Sequence, residues 1–209
     1  MTRRGDRAGL LVVLEGIDGG GKSTLRRAVA AQLRRSGYAV GVWDEPTDPA
    51  IGREAERFGR HAPGTAAFLF TLDRALARPR LEREIAAHDV TVSDRSFYST
   101  LAYQGSAMPP RERAALVRLQ RRVARRPDLV ILLALPARVA AERIGRRRTR
   151  AAPLEERRTL ERVARAYAAL AKPPRWVVLD AARSPSDVAR RATAAIRRRL
   201  GRPRRAGRA

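Results

Sequence analysis

An eight-residue segment near the amino terminus, GIDGGGKS at residues 16–23, constrains the fold of this chain more than any other stretch. It matches the pattern G-x-x-x-x-G-K-[ST], in which glycines let the backbone wrap a phosphate and point successive N–H groups at it. The apolar run Leu10–Leu14 precedes it and predicts a strand buried on both faces. Apolar residues at helical spacing follow it, from Leu25 to Leu33. A strand, this loop and a helix together predict a nucleotide-binding α/β protein.

Each residue type in the loop has a definite task. Lys22 would reach the β- and γ-phosphates of ATP as a catalytic cation, and the Ser23 hydroxyl would ligate Mg²⁺. Only Lys22 and Lys172 are lysines among 45 basic residues, so a lysine at this position is informative. The remaining predicted ATP contacts are Gly16, Asp18, Gly19, Gly20, Gly21 and Thr24. The loop alone does not distinguish kinase from hydrolase or switch chemistry.

The rest of the chain alternates between strand-length apolar runs and helical segments. Further strands are predicted at residues 39–43, 90–93, 129–135 and 176–179. The long helix predicted over residues 65–87 contains Pro79, which could break it. This alternation predicts a three-layer α/β/α P-loop kinase fold around a five-stranded parallel sheet. Because no linker divides the chain, we expect one domain over residues 1–209.

Composition limits the other classes of function. The net charge of +24 would suit a nucleic-acid-binding protein, but aromatic residues make up only 5% of the chain, too few for obvious base-stacking surfaces. Nucleic-acid binding is therefore expected only as nonspecific attraction. The absence of cysteine, of a membrane-length apolar run and of a hydrophobic leader in residues 1–9 favours a cytoplasmic protein. The basic tail at residues 201–209 is expected to be disordered.

A second anion-binding site is predicted at the end of the third strand. Asp94 and Arg95 follow that strand directly. In an open parallel sheet, ligands bind beyond the carboxyl ends of the strands, and the phosphate loop lies at the same edge. Asp94 could therefore hold Mg²⁺ or its water as a catalytic residue, and Arg95 could hold a phosphate.

Several segments along the chain form a recognisable series. They are EGIDGGGKST at 15–24, EPTD at 45–48, FLFTLDR at 68–74, DR at 94–95, STLAYQG at 99–105, RPDL at 126–129 and WVVLDA at 176–181. Taken together, these motifs resemble those of the thymidylate kinase family along almost the whole length of the chain. The Asp-Arg pair with the Ala-Tyr-Gln-Gly block and the Phe-x-x-x-Arg helix are more specific than the phosphate loop, which many families share.

The resemblance implies that ATP phosphorylates dTMP to dTDP, a step toward dTTP, and it implies roles for named residues. Asp18 would reach the 3′-hydroxyl of dTMP, and Arg95 would bind the acceptor phosphate. Phe70 would stack on the thymine ring while Arg74 donates to a base oxygen, since residues four apart share a helix face. Tyr103 would disfavour a ribose 2′-hydroxyl. The remaining substrate contacts would come from Thr100 and Gln104.

The resemblance also implies a lid over the phosphates at about residues 145–153, and a homodimer. Arg146 is the expected lid contact with ATP and Arg147 the expected catalytic lid residue, although Arg148 is an equal candidate. One departure concerns Asp44, which stands where the family usually has an arginine that grips the acceptor phosphate. A carboxylate there would repel a phosphate unless Arg53 or another arginine compensates.

Two alternatives remain open from the sequence. The departure at Asp44 favours a related P-loop kinase acting on another nucleotide or on a nucleoside. The net charge of +24 favours a weakly active, nucleotide-dependent nucleic-acid-binding protein.

Overall fold

The computed structural model describes residues 9–59, 61–148 and 154–200. Within these ranges, strands and helices alternate in the order that the sequence predicts. The strands are β1 (Leu10–Glu15), β2 (Val40–Asp44), β3 (Val90–Asp94), β4 (Leu129–Ala134) and β5 (Trp176–Asp180). The helices are α1 (Lys22–Arg35), α2 (Pro49–Phe58), α3 (Pro63–Ala87), α4 (Phe97–Tyr103), α5 (Pro110–Val123), α6 (Ala137–Arg148), α7 (Leu154–Leu170) and α8 (Pro185–Leu200).

The five strands form one parallel sheet in the order β2-β3-β1-β4-β5. β1 is central, and its residues from Leu11 to Leu14 are at most 3% exposed, as expected of a strand covered by helices on both faces. The predicted α/β/α P-loop kinase fold with a five-stranded parallel sheet is therefore confirmed. None of the helices in the described part of the chain has the length and apolar character of a membrane span.

Pro79, which could have broken the long helix, does not do so: α3 runs through it without interruption. Proline lacks the N–H that would bond to the carbonyl of residue 75, and it crowds that carbonyl. Ala75 and Pro79 both lie on the exposed side of α3, so water can satisfy the freed carbonyl. The helix packs against β2 and β3, and its Arg74 contacts Glu45 directly after β2.

Parallel strands place all of their carboxyl ends at one rim of the sheet. The phosphate loop follows β1, the Glu45–Asp48 segment follows β2, and Arg95 follows β3. In the sheet register, Leu14 and Asp44 both pair with Asp94, so these three loops begin at the same level. The rim between β2, β3 and β1 is therefore the place where a ligand would meet all three loops.

Candidate active site

The phosphate loop adopts backbone angles that require glycine. Gly16, Gly19 and Gly21 have φ values of 144°, 80° and 88°. A Cβ atom on Gly16 would lie 2.7 Å from the carbonyl oxygen of Leu133, and one on Gly19 would lie 2.8 Å from that of Ala140. At Gly21, no described atom lies within 4 Å of such a Cβ. The positive φ values therefore favour glycine at all three positions. Close packing also excludes a side chain at Gly16 and Gly19.

Lys22 is buried at the base of the loop and is held by backbone carbonyls. Its ammonium donates to the carbonyl oxygens of Gly16, at 2.9 Å, and Ile17, at 3.1 Å. Burial and the nearby Arg95 lower the pKa of Lys22 to about 8, although Asp18 opposes this shift. The base of the loop thus holds a buried cation, and such a cation attracts the negative charge of a polyphosphate.

Ser23 and Asp94 meet at the position predicted for the metal. The Ser23 hydroxyl donates to Asp94 Oδ2 at 2.7 Å. Asp94 Oδ1 is buried and has no hydrogen-bond partner among the described residues, so one oxygen remains available. The described residues contain no group of three or more His, Cys, Asp or Glu side chains that could hold a metal ion. These residues fit Mg²⁺ bound through one hydroxyl, one carboxylate and the substrate phosphates.

The two predicted anion sites adjoin one another through Asp18 and Arg95. The Arg95 guanidinium is ion-paired with Asp18, donates to Ser99 Oγ at 3.2 Å and lies 5.2 Å from the centre of the Tyr103 ring. The Tyr103 hydroxyl in turn accepts from the Asp18 backbone N–H at 2.9 Å. Burial acts to raise the pKa of Asp18, but Arg95 and Lys22 outweigh it and hold that pKa below its usual value. Arg95 is therefore in direct contact with the phosphate loop.

A cleft of about 610 Å³ opens beside Asp18 and Arg95. This volume lies within the range typical of small-molecule sites. The cleft brings together all of the residues predicted to bind the acceptor nucleotide, although they come from four separate parts of the chain. They are Asp18, Phe70, Arg74, Arg95, Thr100, Tyr103 and Gln104.

Two α3 side chains that line this cleft, Asp73 and Arg74, are held in place by the loop after β2. Arg74 pairs with Glu45, whose Oε2 accepts from Nε at 2.9 Å and from Nη2 at 2.6 Å. Asp73 accepts three hydrogen bonds from the same loop, from the backbone N–H and hydroxyl of Thr47 and from the backbone N–H of Asp48. The loop after β2 is thus tied to α3 by two adjacent charged residues.

A buried carboxyl beneath the loop was not predicted from the sequence. Glu15 is 0% exposed and accepts from Ser96 at 2.6 Å, Ser99 at 2.7 Å and Tyr167 at 2.8 Å. Burial raises the pKa of Glu15, although these hydroxyls and Arg95 oppose the shift. A charged residue at the end of an apolar strand is a signal that could have been noticed, whereas Tyr167 on α7 has no local signal.

The lid residues are only partly described. Arg146 is exposed near the end of α6. The side chains of Arg147 and Arg148 lie outside the described residues, as do residues 149–153 of the expected lid and the basic tail at 201–209. Arg143 of α6, which sequence reasoning missed, donates to the carbonyl oxygens of Gly19 at 3.4 Å and Ala181 at 3.0 Å. It connects the phosphate loop to the segment after β5.

The structure provides a partner for Asp44. Its carboxylate is ion-paired with Arg26 of α1, which also donates to the carbonyl oxygen of Trp43 at 3.1 Å. Arg53, the compensating arginine considered from the sequence, is an exposed residue of α2. Because Arg26 offsets the charge of Asp44, this carboxylate repels an acceptor phosphate less than an unpaired one would.

Comparison with known proteins agrees with this geometry. The family model described as thymidylate kinase matches residues 14–192. A thymidylate kinase of Xanthomonas campestris pv. campestris is 36% identical over 196 residues, which cover 90% of this chain and 83% of the relative. A probable thymidylate kinase of Thermococcus onnurineus is 39% identical over 155 residues, covering 66% and 72%. Neither the alternative acceptor nor the nucleic-acid-binding protein is favoured by these matches. The chain belongs to the thymidylate kinase family.

Proposed function

We propose that this enzyme transfers the γ-phosphoryl group of ATP to dTMP, giving ADP and dTDP for dTTP synthesis. The observation that carries the proposal is the ion pair between Asp18 of the phosphate loop and Arg95 of the acceptor cleft. Since these two residues touch, a phosphate held by Arg95 lies next to a phosphate held by the loop. Transfer between them needs no large movement of either site.

The acceptor is expected to bind along the cleft with its phosphate at Arg95. Phe70, half-buried on α3, supplies a ring for stacking on the base, and Arg74 supplies a donor for a base oxygen. Tyr103 contacts both the Asp18 backbone and the Arg95 guanidinium, and these contacts support a role beside the sugar, where it would select against a 2′-hydroxyl. Thr100 and Gln104 complete the lining of the cleft.

Catalysis then rests on positioning and charge neutralisation. The acceptor phosphate is already an anionic nucleophile near neutral pH, so no general base is required. Lys22 and Arg95 both lie within ion-pair distance of Asp18 Oδ1, and there they would offset the negative charge that spreads over the transferring group. We expect Arg146 and Arg147 of the lid to add further positive charge when the lid closes.

Ser23 and Asp94 are the residues expected to hold Mg²⁺. The metal would supply charge neutralisation on the donor phosphates. The free and buried Asp94 Oδ1, with its neighbour Ser23, supports this assignment.

A cytoplasmic location stays a prediction from the sequence.

A homodimer is the expected assembly, and the surface of α3 supports it. Phe68, Leu72 and Leu76 are 61%, 39% and 67% exposed and follow one another at four-residue spacing. They form an apolar stripe that a second copy of the chain could cover around a two-fold axis. Light scattering should give the mass of two chains, and Leu76→Glu should shift it toward one.

A phosphotransfer assay with a panel of acceptors tests the proposed reaction. The panel comprises dTMP, dUMP, dCMP, dAMP, dGMP, ribothymidine monophosphate and thymidine, each with ATP and Mg²⁺. We expect dTMP to have the highest kcat/KM, and the nucleoside thymidine to be inactive because it lacks the phosphate that Arg95 holds. Equal rates for all monophosphates would contradict the assignment, and so would transfer to thymidine alone.

A further inference from the structure

A chain of three hydrogen bonds leads from the backbone of α3 to the guanidinium of Arg74. The Thr71 hydroxyl donates to the carbonyl oxygen of Ala67 at 2.6 Å. Its single hydrogen is thereby used, so Thr71 Oγ1 can only accept from the side-chain amide of Gln120, which lies 2.6 Å away. The oxygen of that amide then accepts from Arg74 Nη1 at 2.9 Å. The network itself sets the orientation of the Gln120 amide.

The three side chains that form this series of hydrogen bonds are all buried. Gln120 of α5 is 0% exposed, Thr71 is 5% exposed and Arg74 is 6% exposed. In such surroundings a polar atom without a partner is destabilising, so each bond favours the others. Gln120 does not line the acceptor cleft, whereas Arg74 does. Any effect of Gln120 on a bound nucleotide must therefore pass through Arg74.

Gln120 provides the second point that fixes the guanidinium. Both hydrogen bonds from Arg74 to Glu45 end on the same oxygen, Oε2, and a group held at a single atom can pivot about it. The bond from Nη1 to Gln120 lies on the other side of the guanidinium and blocks this rotation. Thr100 adds a long contact with Nη2 at 3.4 Å.

Counting donors shows what Arg74 can still offer. A guanidinium has five N–H groups. The contacts with described residues use the Nε hydrogen, both hydrogens of Nη2 and one hydrogen of Nη1. One N–H, on Nη1, is left without a partner among the described residues, and Arg74 lines the cleft. A fixed N–H can donate to a carbonyl oxygen of the base, but it finds no acceptor in an amino group, which is itself a donor.

We propose that Gln120 is a positioning residue that fixes this remaining N–H of Arg74 and so favours acceptor bases that present a carbonyl oxygen over those that present an amino group. The inference rests on the proposed function, in which Arg74 meets the base. Thr71 contributes from one bond further away, because it determines which end of the Gln120 amide faces Arg74.

The test compares dTMP with dCMP, which carries an amino group where thymine carries a carbonyl. Methionine has a volume similar to that of glutamine but no amide. In Gln120→Met, we expect the ratio of kcat/KM for dTMP to kcat/KM for dCMP to fall about tenfold. The change should lie in KM for dTMP, with kcat and KM for ATP within about threefold. Gln120→Glu keeps an oxygen facing Arg74 and should retain most of the selectivity, provided that the Thr71 hydroxyl turns from Ala67 to donate to the second carboxylate oxygen. Gln32→Met on α1 is the matched control and should leave the ratio unchanged.

Two further variants separate positioning from a purely structural role. In an Arg74→Met background, Gln120→Met should not change the acceptor ratio any further, whereas independent effects would multiply. Thr71→Val should give the same selective loss as Gln120→Met at a smaller size, because it frees the amide to turn. Thr71→Val decides the question if Gln120→Met does not fold in a thermal melt.

The outcomes distinguish this inference from the proposed function. A wild-type enzyme that prefers dTMP, with the preference unchanged in Gln120→Met or in Thr71→Val, overturns the positioning role alone. A uniform loss for both acceptors likewise overturns it. A wild-type enzyme with no preference for dTMP overturns the proposed function and this inference together.

Discussion

The phosphate loop and the acceptor cleft meet at Asp18 but are built in different ways. The loop at residues 16–23 is one continuous segment whose ligand groups are expected to be mainly backbone N–H groups, held by glycine conformations. The cleft is lined by side chains from α3, α4, α7 and the loops after β1, β2 and β3. A site built from backbone groups corresponds to one contiguous sequence motif. A site built from side chains combines residues that are distant in sequence and come together only when the protein folds. The two should therefore respond differently to substitution.

The largest expected effect separates the donor side from the acceptor side. Lys22→Ala should lower kcat by about a thousandfold, since a buried cation next to the transferring group is lost. Binding of dTMP, measured by calorimetry, should change less than about threefold. Lys172→Ala, at the other and exposed lysine, is the control and should behave as wild type. A parallel loss of dTMP affinity in Lys22→Ala would show that the two regions are not separable.

The converse substitution lies on the acceptor side. Arg95→Ala should lower kcat/KM for dTMP by about a hundredfold while ATP affinity stays within a few-fold. Arg95→Lys should recover only part of the loss, because an ammonium lacks the planar fork of a guanidinium. Exposed Arg111 on α5 provides the control, Arg111→Ala. If Arg95→Ala weakened ATP more than dTMP, Arg95 would belong to the donor side instead.

A smaller effect is expected at the metal position. Ser23→Ala should raise the Mg²⁺ concentration needed for half-maximal activity about tenfold, because a ligand next to Asp94 is removed. Ser36→Ala, at the far end of the same helix, should leave that concentration unchanged. A titration of activity with Mg²⁺ at saturating ATP gives both values. An unchanged requirement in Ser23→Ala would remove Ser23 from the metal site.

The smallest effect concerns the Asp18 carboxylate, where the two regions join. Its pKa in the folded protein lies below the unfolded value of about 3.9, so its stabilising contribution is present above about pH 4 and is lost as the pH falls through the lowered folded pKa. Asp18→Asn should therefore reduce the free energy of unfolding near neutral pH, by less than about 1 kcal/mol because the side chain is half exposed.

Denaturant unfolding of wild type and Asp18→Asn at several pH values measures this difference. The gap in the free energy of unfolding should narrow as the pH falls below about 4. If the difference in the free energy of unfolding widened in acid, burial rather than the charge of Arg95 would control the pKa of Asp18.

The comparison also explains how much could be predicted from sequence. The sheet, its five strands and residues 16–23 follow from local patterns, because strand burial and glycine conformations depend on neighbouring residues. The partners of Arg74 do not, since Gln120 lies 46 positions away and carries no motif of its own. The continuity of α3 through Pro79 was likewise not predictable, because it depends on which side of the helix faces water.

The conformation of Gly21 has a practical consequence. Gly16 and Gly19 have neighbouring carbonyls where a side chain would begin, but the space beside Gly21 contains no described atom. Asparagine tolerates positive φ better than other side chains do, so among the three loop glycines with positive φ, Gly21→Asn requires the least rearrangement of the scaffold. It offers a route to a catalytically silent protein for trapping the acceptor complex in crystals, without the misfolding that a bulkier change at Gly16 would risk.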